Sequence, residues 1–451
     1  MNNQISTAIQ QIGHIVDAWI PMKIKYDKTP GISIAISHGG KIIYAKGFGF
    51  ADVEHKQKAG ADTLYHIASH SKMFTAVAIM KLVEEGNLRL DDHVSDYIDW
   101  FKAKTKHSDA SHITVRQLLS HTAGVFRDGD TPHWENGKFP KDLKKSFSSK
   151  SLVIENLTTF KYTNYGYSLL GLVIEKASGM SYEEYVIKMI LKPLGMKNTY
   201  VDYKKEIKHI ATGYGSETPD QNRIVFNHYA TNAYAPATGF VSNATDLIKF
   251  ISSLSLNHNP LHVINRESVK EMSRPHAKTE DGDEYGLGLD INYLNGRKII
   301  GHGGGFNGFI TRTAFDTKND IGVVVLTNTL DSNASRITDG LLDSIDMIIN
   351  KSKDYSSHSK ISYAKYEGIY RSVWGDSVIS RIKDILISYG PKTNNPLKGA
   401  HRFIPTSSPH TFVMKSKYVY GSYDEEAVFT NFKNGKAQKL LEASMPLKRI
   451  A

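Results

Sequence analysis

The sequence predicts an α+β fold, in which an antiparallel sheet is flanked by helices and followed by a small β-rich module. Three observations predict it. A strand–turn–strand pattern lies at residues 32–45, a second group of strands lies at residues 285–327, and residues 90–234 between them are mostly helical and loop-like. Because a lone hairpin is only marginally stable in water, we expect the early hairpin to join the later strands in one sheet.

The N-terminal segment, residues 1–17, has the pattern of an amphipathic helix. It contains Gln10, Gln11 and Asp17 and lacks the basic start of a signal peptide. No stretch has the apolar length that spans a bilayer, so we expect no membrane span. These features favour a cytoplasmic location, with export as the alternative.

The early hairpin pairs Ile32–Ser37 with Ile42–Ala45 across the turn His38-Gly39-Gly40. A helix is expected to follow from about His70 to Glu85, where Gly86 is a stop signal.

The later strands are joined by short turns such as Asn295-Gly296, which is typical of an antiparallel meander. If they share a sheet with the early hairpin, the helix start near Ser69 lies close to the turn near His302. The predicted strands are Tyr285–Tyr293, Lys298–Ile300, Phe309–Phe315 and Ile321–Thr327, and a helix from about Asn333 to Asn350 ends the segment.

The length of the chain, 451 residues, favours two domains. The polar run KSKDYSSHSK at residues 351–360 is typical of a linker. We therefore predict a main domain over residues 1–350 and a β-rich module over residues 361–451, where segments such as Thr411–Met414 and Ala427–Phe432 alternate in polarity.

Composition excludes several kinds of site. The chain has no cysteine, which excludes disulfides, thiol catalysis and thiolate metal ligands. Its net charge is +10, but the basic residues are scattered, whereas nucleic-acid binding needs them on one motif or stripe. The 19 histidines lack paired spacing such as His-Glu-x-x-His, so we expect no metal site and no cofactor.

The tetrapeptide Ser69-His70-Ser71-Lys72 is the first candidate for chemistry. Residues three apart share one face of a helix, so Ser69 and Lys72 are neighbours. A serine hydroxyl needs an adjacent base, and a neutral lysine can serve once burial lowers its pKa. The apolar residues after Lys72 would bury its stem, and the start of the helix favours a developing oxyanion.

Chance is the alternative explanation for this motif. Ser-x-x-Lys recurs at Ser357–Lys360, Ser362–Lys365 and Ser380–Lys383, and the first of these is again SHSK. No apolar helical pattern follows that copy, which distinguishes Ser69.

The second candidate is Tyr162-Thr163-Asn164, just before a helical run. A tyrosine with a depressed pKa can relay protons, and an asparagine can orient a substrate amide. The same spacing recurs at Tyr293-x-Asn295, so Tyr162 could instead be an interfacial aromatic residue with a satisfied hydroxyl.

The third candidate is His302-Gly303-Gly304-Gly305. Its glycines would let a substrate lie close to the strand edge, and His302 could polarise the site or exchange protons with Tyr162. The similar His38-Gly39-Gly40 is better explained as a plain turn.

These three motifs, in this order, resemble those of the serine β-lactamase-like family, which includes DD-peptidases, class C β-lactamases, esterases and D-aminopeptidases. The resemblance covers about residues 30–350. Connecting phrases strengthen it, namely HIASHSKMFTAVAIMKLVEEGNLRLDD, ITVRQLLSHTAG, YTNYGYSLLGLVIEKASG, LKPLGMKNTY and GHGGGFNGFITRTAFD.

The resemblance implies a sheet with flanking helices, an inserted helical subdomain, and a site between them. It implies that Ser69 is the nucleophile and Lys72 its base. It further implies that Tyr162 is a second general base and that Asn164 contacts the substrate amide. The implied oxyanion hole is formed by the backbone N–H groups of Ser69 and Gly305, with Gly304 also lining the substrate site.

The sequence departs from the family pattern at three places. His302 stands where classical β-lactamases and DD-peptidases have lysine, which puts efficient β-lactam hydrolysis in doubt and is similar to the peptidase and esterase branches. Thr163 stands where serine is usual, and residues 156–161 lack a Pro-Gly pair that many relatives carry. The C-terminal module resembles small lipocalin-like barrels that can cover the site or mediate oligomers.

The sequence therefore predicts a serine hydrolase that forms an acyl-enzyme on amide or ester carbonyls, as a peptidase (with D-residues as one option) or an esterase. The alternatives are a true β-lactamase and a non-catalytic penicillin- or peptide-binding protein. The expected partner is a small peptide, ester or β-lactam substrate, with no nucleic acid, and with a homo-oligomer as an option.

Overall fold

A computed structural model describes residues 2–105, 108–129, 131–257, 262–350, 362–415 and 423–451. Its contacts divide the chain into two compact units, residues 30–338 and residues 1–29 with 339–451. The sequence-based division instead placed residues 1–350 together. It stays a prediction of domain bounds, and its linker, residues 351–360, lies outside the described residues.

The larger unit is built on a nine-stranded antiparallel sheet. Along the sheet the strand order is β3-β2-β1-β13-β12-β11-β10-β9-β8. These strands are β1 (Gly31–His38), β2 (Lys41–Asp52), β3 (Gln57–Lys58), β8 (Ala277–Lys278), β9 (Glu284–Tyr285), β10 (Asp290–Leu294), β11 (Arg297–Phe306), β12 (Phe309–Asp316) and β13 (Ile321–Thr327).

The early hairpin does join the later strands, as predicted. β1 pairs with β13 in antiparallel register from Ile32–Thr327 to His38–Ile321. β1 is buried along its whole length, because it lies in the middle of the sheet with strands on both sides. The expected α+β fold is therefore confirmed.

One predicted strand is interrupted. Residues 285–293 form the ends of β9 and β10 rather than a continuous strand. The interruption contains Gly288, whose φ is +72°. Its Cα lies against the helix Ser71–Glu84, because a Cβ on Gly288 would meet Ala76 Cβ at 2.6 Å. The alternating pattern of the sequence could not predict this turn, because its cause is a contact with a distant segment.

Helices cover the sheet and build the inserted region. They are α2 (Ser71–Glu84), α3 (Val115–Leu119), α4 (His133–Asn136), α5 (Asn164–Ser178), α6 (Tyr182–Val186), α7 (Ala244–Ser253), α8 (Arg266–Met272) and α9 (Ala334–Asn350), the last of which extends past the bound between the units. Two short ladders pair β4 (Tyr65–His66) with β7 (Val241–Ser242) and β5 (Gly213–Tyr214) with β6 (Val225–Phe226).

Helix α2 is the central helix of this unit. Eleven of its residues are buried, from Ser71 to Leu82, so it is covered on all sides rather than amphipathic. Phe74 stacks on Phe240 and Phe250, with ring centroids 4.6 and 3.8 Å apart. This packing fixes the helix that directly follows the turn with the candidate nucleophile, Ser69.

The second unit contains an eight-stranded antiparallel barrel in which strands adjacent in sequence are neighbours and β14 closes on β21. This is the expected β-rich C-terminal module. Its strands are β14 (Gly368–Ser372), β15 (Gly375–Ile382), β16 (Ile385–Tyr389), β17 (His401–Pro405), β18 (Thr411–Lys415), β19 (Glu426–Lys433), β20 (Lys436–Glu442) and β21 (Met445–Arg449).

The N-terminal helix α1 (Asn2–Tyr26) belongs to the unit that contains the barrel. Trp19 is fully buried and its indole N–H donates to the carbonyl of Thr393 at 3.1 Å. Tyr26 donates to the Asp376 carboxylate at 2.5 Å. These contacts explain why residues 1–29 group with the C-terminal module.

Within the described ranges, no helix combines the length and apolarity needed to cross a bilayer.

Candidate active site

Ser69 lies in a single 3₁₀ turn, Ala68–His70, that leads directly into α2. Ala68 has a φ of +49°, a left-handed conformation that costs energy for a residue with a Cβ. Ser69 is partly exposed, while both neighbours in the turn are buried. The turn therefore presents the Ser69 hydroxyl to solvent at the start of a buried helix.

The Ser69 hydroxyl contacts both of its predicted partners. Lys72 Nζ lies 3.3 Å from Ser69 Oγ, and the Tyr162 hydroxyl donates to the same oxygen at 2.8 Å. The lysine is one helical turn away, whereas the tyrosine comes from a segment 93 residues later. The structure thus brings together the first two motifs around one oxygen atom.

Lys72 is fully buried and has two further partners. Its Nζ donates to Asn164 Oδ1 at 2.6 Å and to the carbonyl oxygen of Ala237 at 2.8 Å. Burial lowers the pKa of Lys72 well below its usual value, with the charge of Arg127 acting in the same direction and that of Asp128 opposing it. Both N–H bonds of a neutral amine are thus occupied, and its lone pair is left for Ser69.

The Asn164 side chain forms hydrogen bonds with Lys72 and Asp128. Its amide group is nearly fully buried, with Oδ1 accepting from Lys72 and Nδ2 donating to Asp128 Oδ1 at 2.7 Å. Its contact with a substrate amide, implied by the resemblance, stays a prediction. Asp128 also accepts from the Trp134 indole at 3.1 Å. Burial would raise the pKa of Asp128, but hydrogen bonds involving His133, Asn164 and Trp134 lower it to about 2, so it is ionised.

Tyr162 precedes α5 and is fixed by that helix start. Thr163 is the N-cap, and its hydroxyl accepts from the Gly166 N–H at 2.8 Å and donates to the carbonyl of Phe126 at 2.7 Å. Burial raises the pKa of Tyr162, which is the opposite of the depressed pKa expected from the sequence. Tyr162 is therefore a protonated phenol at neutral pH and donates to Ser69.

The glycine-rich segment forms an open strand edge. β10 pairs with β11 as far as Asp290–Gly301, while β11 continues along β12 to Phe306–Phe309. Gly304 is held close, because a Cβ there would meet the carbonyl oxygen of Ile67 at 2.3 Å. Gly305 is exposed. The unpaired edge of β11, from His302 to Phe306, thus lies beside the turn that carries Ser69.

The direction of the N–H groups on this edge follows from one contact. The Gly303 N–H donates to the Asp290 carboxylate, which lies on the β10 side. Because N–H groups alternate along a strand, the Gly305 N–H points to the same side, beyond the end of β10. This is the orientation that an oxyanion donor on β11 requires.

His302 is nearly fully buried and uses both ring nitrogens within the protein. Nδ1 donates to the carbonyl of Gly303 at 2.6 Å, and Nε2 lies 3.1 Å from the Tyr285 hydroxyl. Burial lowers its pKa, so the imidazole is neutral. Neither of these hydrogen bonds involves Tyr162, the residue with which His302 was expected to exchange protons. The catalytic role of His302 stays a prediction.

Sequence reasoning assigned no role to His121, which lies at the centre of the site. Its ring is fully buried against Tyr162 and Tyr285, with centroids 4.4 and 4.9 Å away. Nδ1 accepts from the Thr163 N–H at 3.1 Å, and Nε2 has no hydrogen-bond partner among the described residues. The signal was present in the phrase ITVRQLLSHTAG, which contains His121. Asp128 and Tyr285 were likewise missed.

Across the described ranges, no cluster of three or more acidic, histidine or cysteine side chains could hold a metal ion.

The family model described as Beta-lactamase matches residues 16–345, which is most of the chain and includes all three motifs. The chain belongs to the β-lactamase family. The resemblance stated from the motifs is thereby confirmed.

Individual members of the family resemble the chain to different extents. Protein flp of Staphylococcus aureus (strain MW2) is 32% identical over 321 residues, which cover 69% of this chain and 62% of that protein. The chain therefore spans less than two thirds of the length of this curated relative.

Solved structures resemble the chain over more of its length. The octameric penicillin-binding protein homologue from Pyrococcus abyssi is 26% identical, with a TM-score of 0.65, and the match covers 96% of this chain and 99% of that one. A D-stereospecific amidohydrolase from Streptomyces sp. is 21% identical, with a TM-score of 0.61 and coverage of 75% and 99%. The second likeness extends to the fold alone.

Proposed function

We propose that this member of the β-lactamase family is a serine hydrolase that forms an acyl-enzyme through Ser69 on small peptide amides or esters. The observation that carries the proposal is the position of Ser69 Oγ, which lies 3.3 Å from a buried amine and 2.8 Å from a phenol. A base and an acid on the same hydroxyl are what two-step acyl transfer requires.

In the first step, Ser69 Oγ attacks the substrate carbonyl carbon and its proton passes to the neutral amine of Lys72. The lowered pKa of Lys72 supplies the free base, and its contacts with Asn164 and Ala237 aim the lone pair at Ser69. The carbonyl oxygen gains negative charge and accepts from the N–H groups of Ser69 and Gly305.

In the second step, the tetrahedral intermediate collapses, the bond to the leaving group breaks, and the leaving atom takes up a proton. Tyr162 is the suitable donor, because its raised pKa keeps the phenol protonated and its O–H already points at Ser69 Oγ. The proton gained by Lys72 restores the phenol. Water then attacks the ester carbonyl of the acyl-enzyme and gives a proton to the amine of Lys72. The bond between the acyl carbon and Ser69 Oγ breaks, and Ser69 Oγ takes up that proton, which restores the hydroxyl and the neutral amine.

A peptidase or esterase fits this site better than a true β-lactamase. The residue at the start of the open strand edge is His302, neutral and bound to Tyr285 and Gly303, where classical β-lactamases have a lysine. The fold shared with a D-stereospecific amidohydrolase supports a test of D-residue substrates. The likeness to the octameric penicillin-binding protein homologue from Pyrococcus abyssi supports a homo-oligomer as part of the same proposal.

The first prediction tests the nucleophile. We expect a fluorophosphonate to add to the intact protein with a stoichiometry of one, and Ser69→Ala to abolish both the adduct and hydrolysis of a p-nitrophenyl ester. Mass spectrometry of the intact protein is the measurement. Ser357→Ala, in the second SHSK tetrapeptide, is the matched control and should keep full labelling.

Three outcomes would contradict the proposed function or its nucleophile. Labelling that persists in Ser69→Ala would place the nucleophile elsewhere. Rapid nitrocefin turnover, of many molecules per second, would favour a true β-lactamase, while adducts that form on every substrate and never hydrolyse would favour a binding protein.

A further inference from the structure

Arg127 is an exposed cation beside the catalytic tyrosine. Its guanidinium carbon lies 5.3 Å from the centroid of the Tyr162 ring, and 64% of its side chain is exposed. The Tyr162 hydroxyl on that ring contacts Ser69, so Arg127 is one aromatic ring away from the nucleophile. Its charge adds to the burial that lowers the pKa of Lys72, but the side chain makes no contact with the reacting atoms in the acyl-transfer steps.

The backbone at Arg127 is fixed, although the side chain faces solvent. Its carbonyl oxygen accepts from the N–H groups of Asn164 and Tyr165, at 2.8 and 3.0 Å. Its Nε donates to Asp128 Oδ2 at 3.1 Å. The other Asp128 oxygen is already taken by Asn164 and Trp134. This pairing holds the guanidinium through Nε, and its two terminal nitrogens make no hydrogen bond to any other described residue.

We propose that Arg127 binds a carboxylate of the substrate and makes the site selective for amides or esters that carry an acidic group one or two residues from the scissile carbonyl. The inference rests on the proposed function and concerns the specificity of the same site. A guanidinium with its terminal nitrogens available binds a carboxylate in a bidentate way. One residue spans about 3.3–3.6 Å, so a carboxylate at that separation can reach from Ser69 past the Tyr162 ring.

The surrounding charges leave this role to Arg127. Burial lowers the pKa values of Lys72 and His302, which disfavours a positive charge on either side chain. Arg312 is largely buried and its guanidinium is paired with Asp290 at 2.5 Å. An anionic group that enters beside Tyr162 therefore meets its exposed positive charge at Arg127.

The test compares two substrates that differ in one group, a p-nitroanilide or ester with a free carboxylate and its carboxamide analogue. We expect the wild-type protein to prefer the carboxylate by about 10- to 100-fold in kcat/KM. Arg127→Met should bring this ratio close to one by slowing the carboxylate substrate more than the carboxamide, and Arg127→Lys should keep part of the preference. Raising the salt concentration to 0.5 M should reduce the preference in the wild type alone.

Two controls separate the possible outcomes. Arg266→Met removes an exposed arginine on α8 and should leave the ratio unchanged. A neutral fluorophosphonate, which carries no carboxylate, measures how far the lost charge of Arg127 slows the attack of Ser69 itself, because that charge also lowers the pKa of Lys72. Equal losses on both substrates, or no preference in a wild type that labels normally, would overturn the role of Arg127. A wild type that does not label at all would instead contradict the proposed function.

Discussion

The interior around Lys72 and the interior of the barrel are built in opposite ways. Around Lys72, buried polar groups meet one another, as in the chain of hydrogen bonds from Lys72 through Asn164 to Asp128. The barrel core is a packed cluster of aromatic and aliphatic side chains, in which Phe429 lies against Tyr366 and Phe412 with ring centroids 4.7 and 5.6 Å apart.

This difference separates what each interior contributes. Burying a polar group costs free energy that its hydrogen bonds only offset, so the polar interior is explained better by chemistry than by stability. Burying aromatic surface stabilises the fold directly. We therefore expect substitutions around Lys72 to change activity and substitutions in the barrel core to change stability.

The largest expected effect is that of Lys72→Met. It removes the base but keeps the length and volume of the side chain, so acylation should slow by about 10²–10⁴-fold. The free energy of unfolding should change by less than about 2 kcal/mol, because relief from burying an amine offsets the loss of donors to Asn164 and Ala237. Rates of fluorophosphonate labelling and urea unfolding measure the two effects.

The pH dependence of stability gives a control for Lys72→Met. Because burial lowers the folded-state pKa of Lys72, the unfolded chain binds more protons than the folded chain between that lowered value and 10.5. The contribution of Lys72 to wild-type stability therefore rises with pH across this window, and Lys72→Met should lack that rise. A variant that labels normally, or that unfolds at much lower urea concentration than the wild type, would contradict the contrast between the two interiors.

The fold was predictable wherever its cause is local. The apolar run Ile321–Thr327, which follows a short turn, predicts β13 with the observed bounds. The marginal stability of a lone hairpin predicts that the early hairpin joins the later strands. The break at Gly288 was not predictable, because it depends on contact with α2. The grouping of residues 1–29 with the barrel depends on contacts such as Trp19 with Thr393, which lie 374 residues apart.

The site shows the same division between local and distant causes. The proximity of Ser69 and Lys72 follows from helical spacing, whereas the contact with Tyr162 could be expected only from the resemblance. The hydrogen bonds of His302 to Tyr285 and Gly303 could not be read from the sequence, because they depend on where β11 lies beside β10. For the same reason, the central place of His121 was missed.

The next expected effect tests the apolar interior. Phe429 is 1% exposed, and Phe429→Ala should lower the free energy of unfolding by about 3–5 kcal/mol, since it leaves a cavity among the barrel aromatics. Under conditions where the variant is folded, the rate of Ser69 labelling should match the wild type. Phe432→Ala on the same strand is the control, because Phe432 is 38% exposed and should cost far less. Equal losses of stability in the two variants, measured by urea unfolding, would remove the distinction.

The smallest expected effect comes from Glu442, an acidic side chain at the end of β20 that departs from the apolar character of the barrel. One of its carboxylate oxygens has no hydrogen-bond partner among the described residues. Burial raises the pKa of Glu442 to about 7 from 4.5, against a hydrogen bond with Ser388 that lowers it. The folded chain thus binds more protons than the unfolded chain between these values, so the contribution of Glu442 to stability falls as pH rises through this range.

Replacing Glu442 by a neutral residue of the same shape should remove this pH dependence. We expect Glu442→Gln to match the wild type near pH 4 and to exceed its free energy of unfolding by on the order of 1–3 kcal/mol at pH 8. The exposed Glu426 on β19 is the matched control, and Glu426→Gln should change stability by less than about 0.5 kcal/mol at both pH values. If Glu442→Gln and the wild type unfold at the same urea concentration at pH 8, the carboxylate is solvated when ionised. The contrast between the barrel interior and the polar interior around Lys72 would then be sharper still.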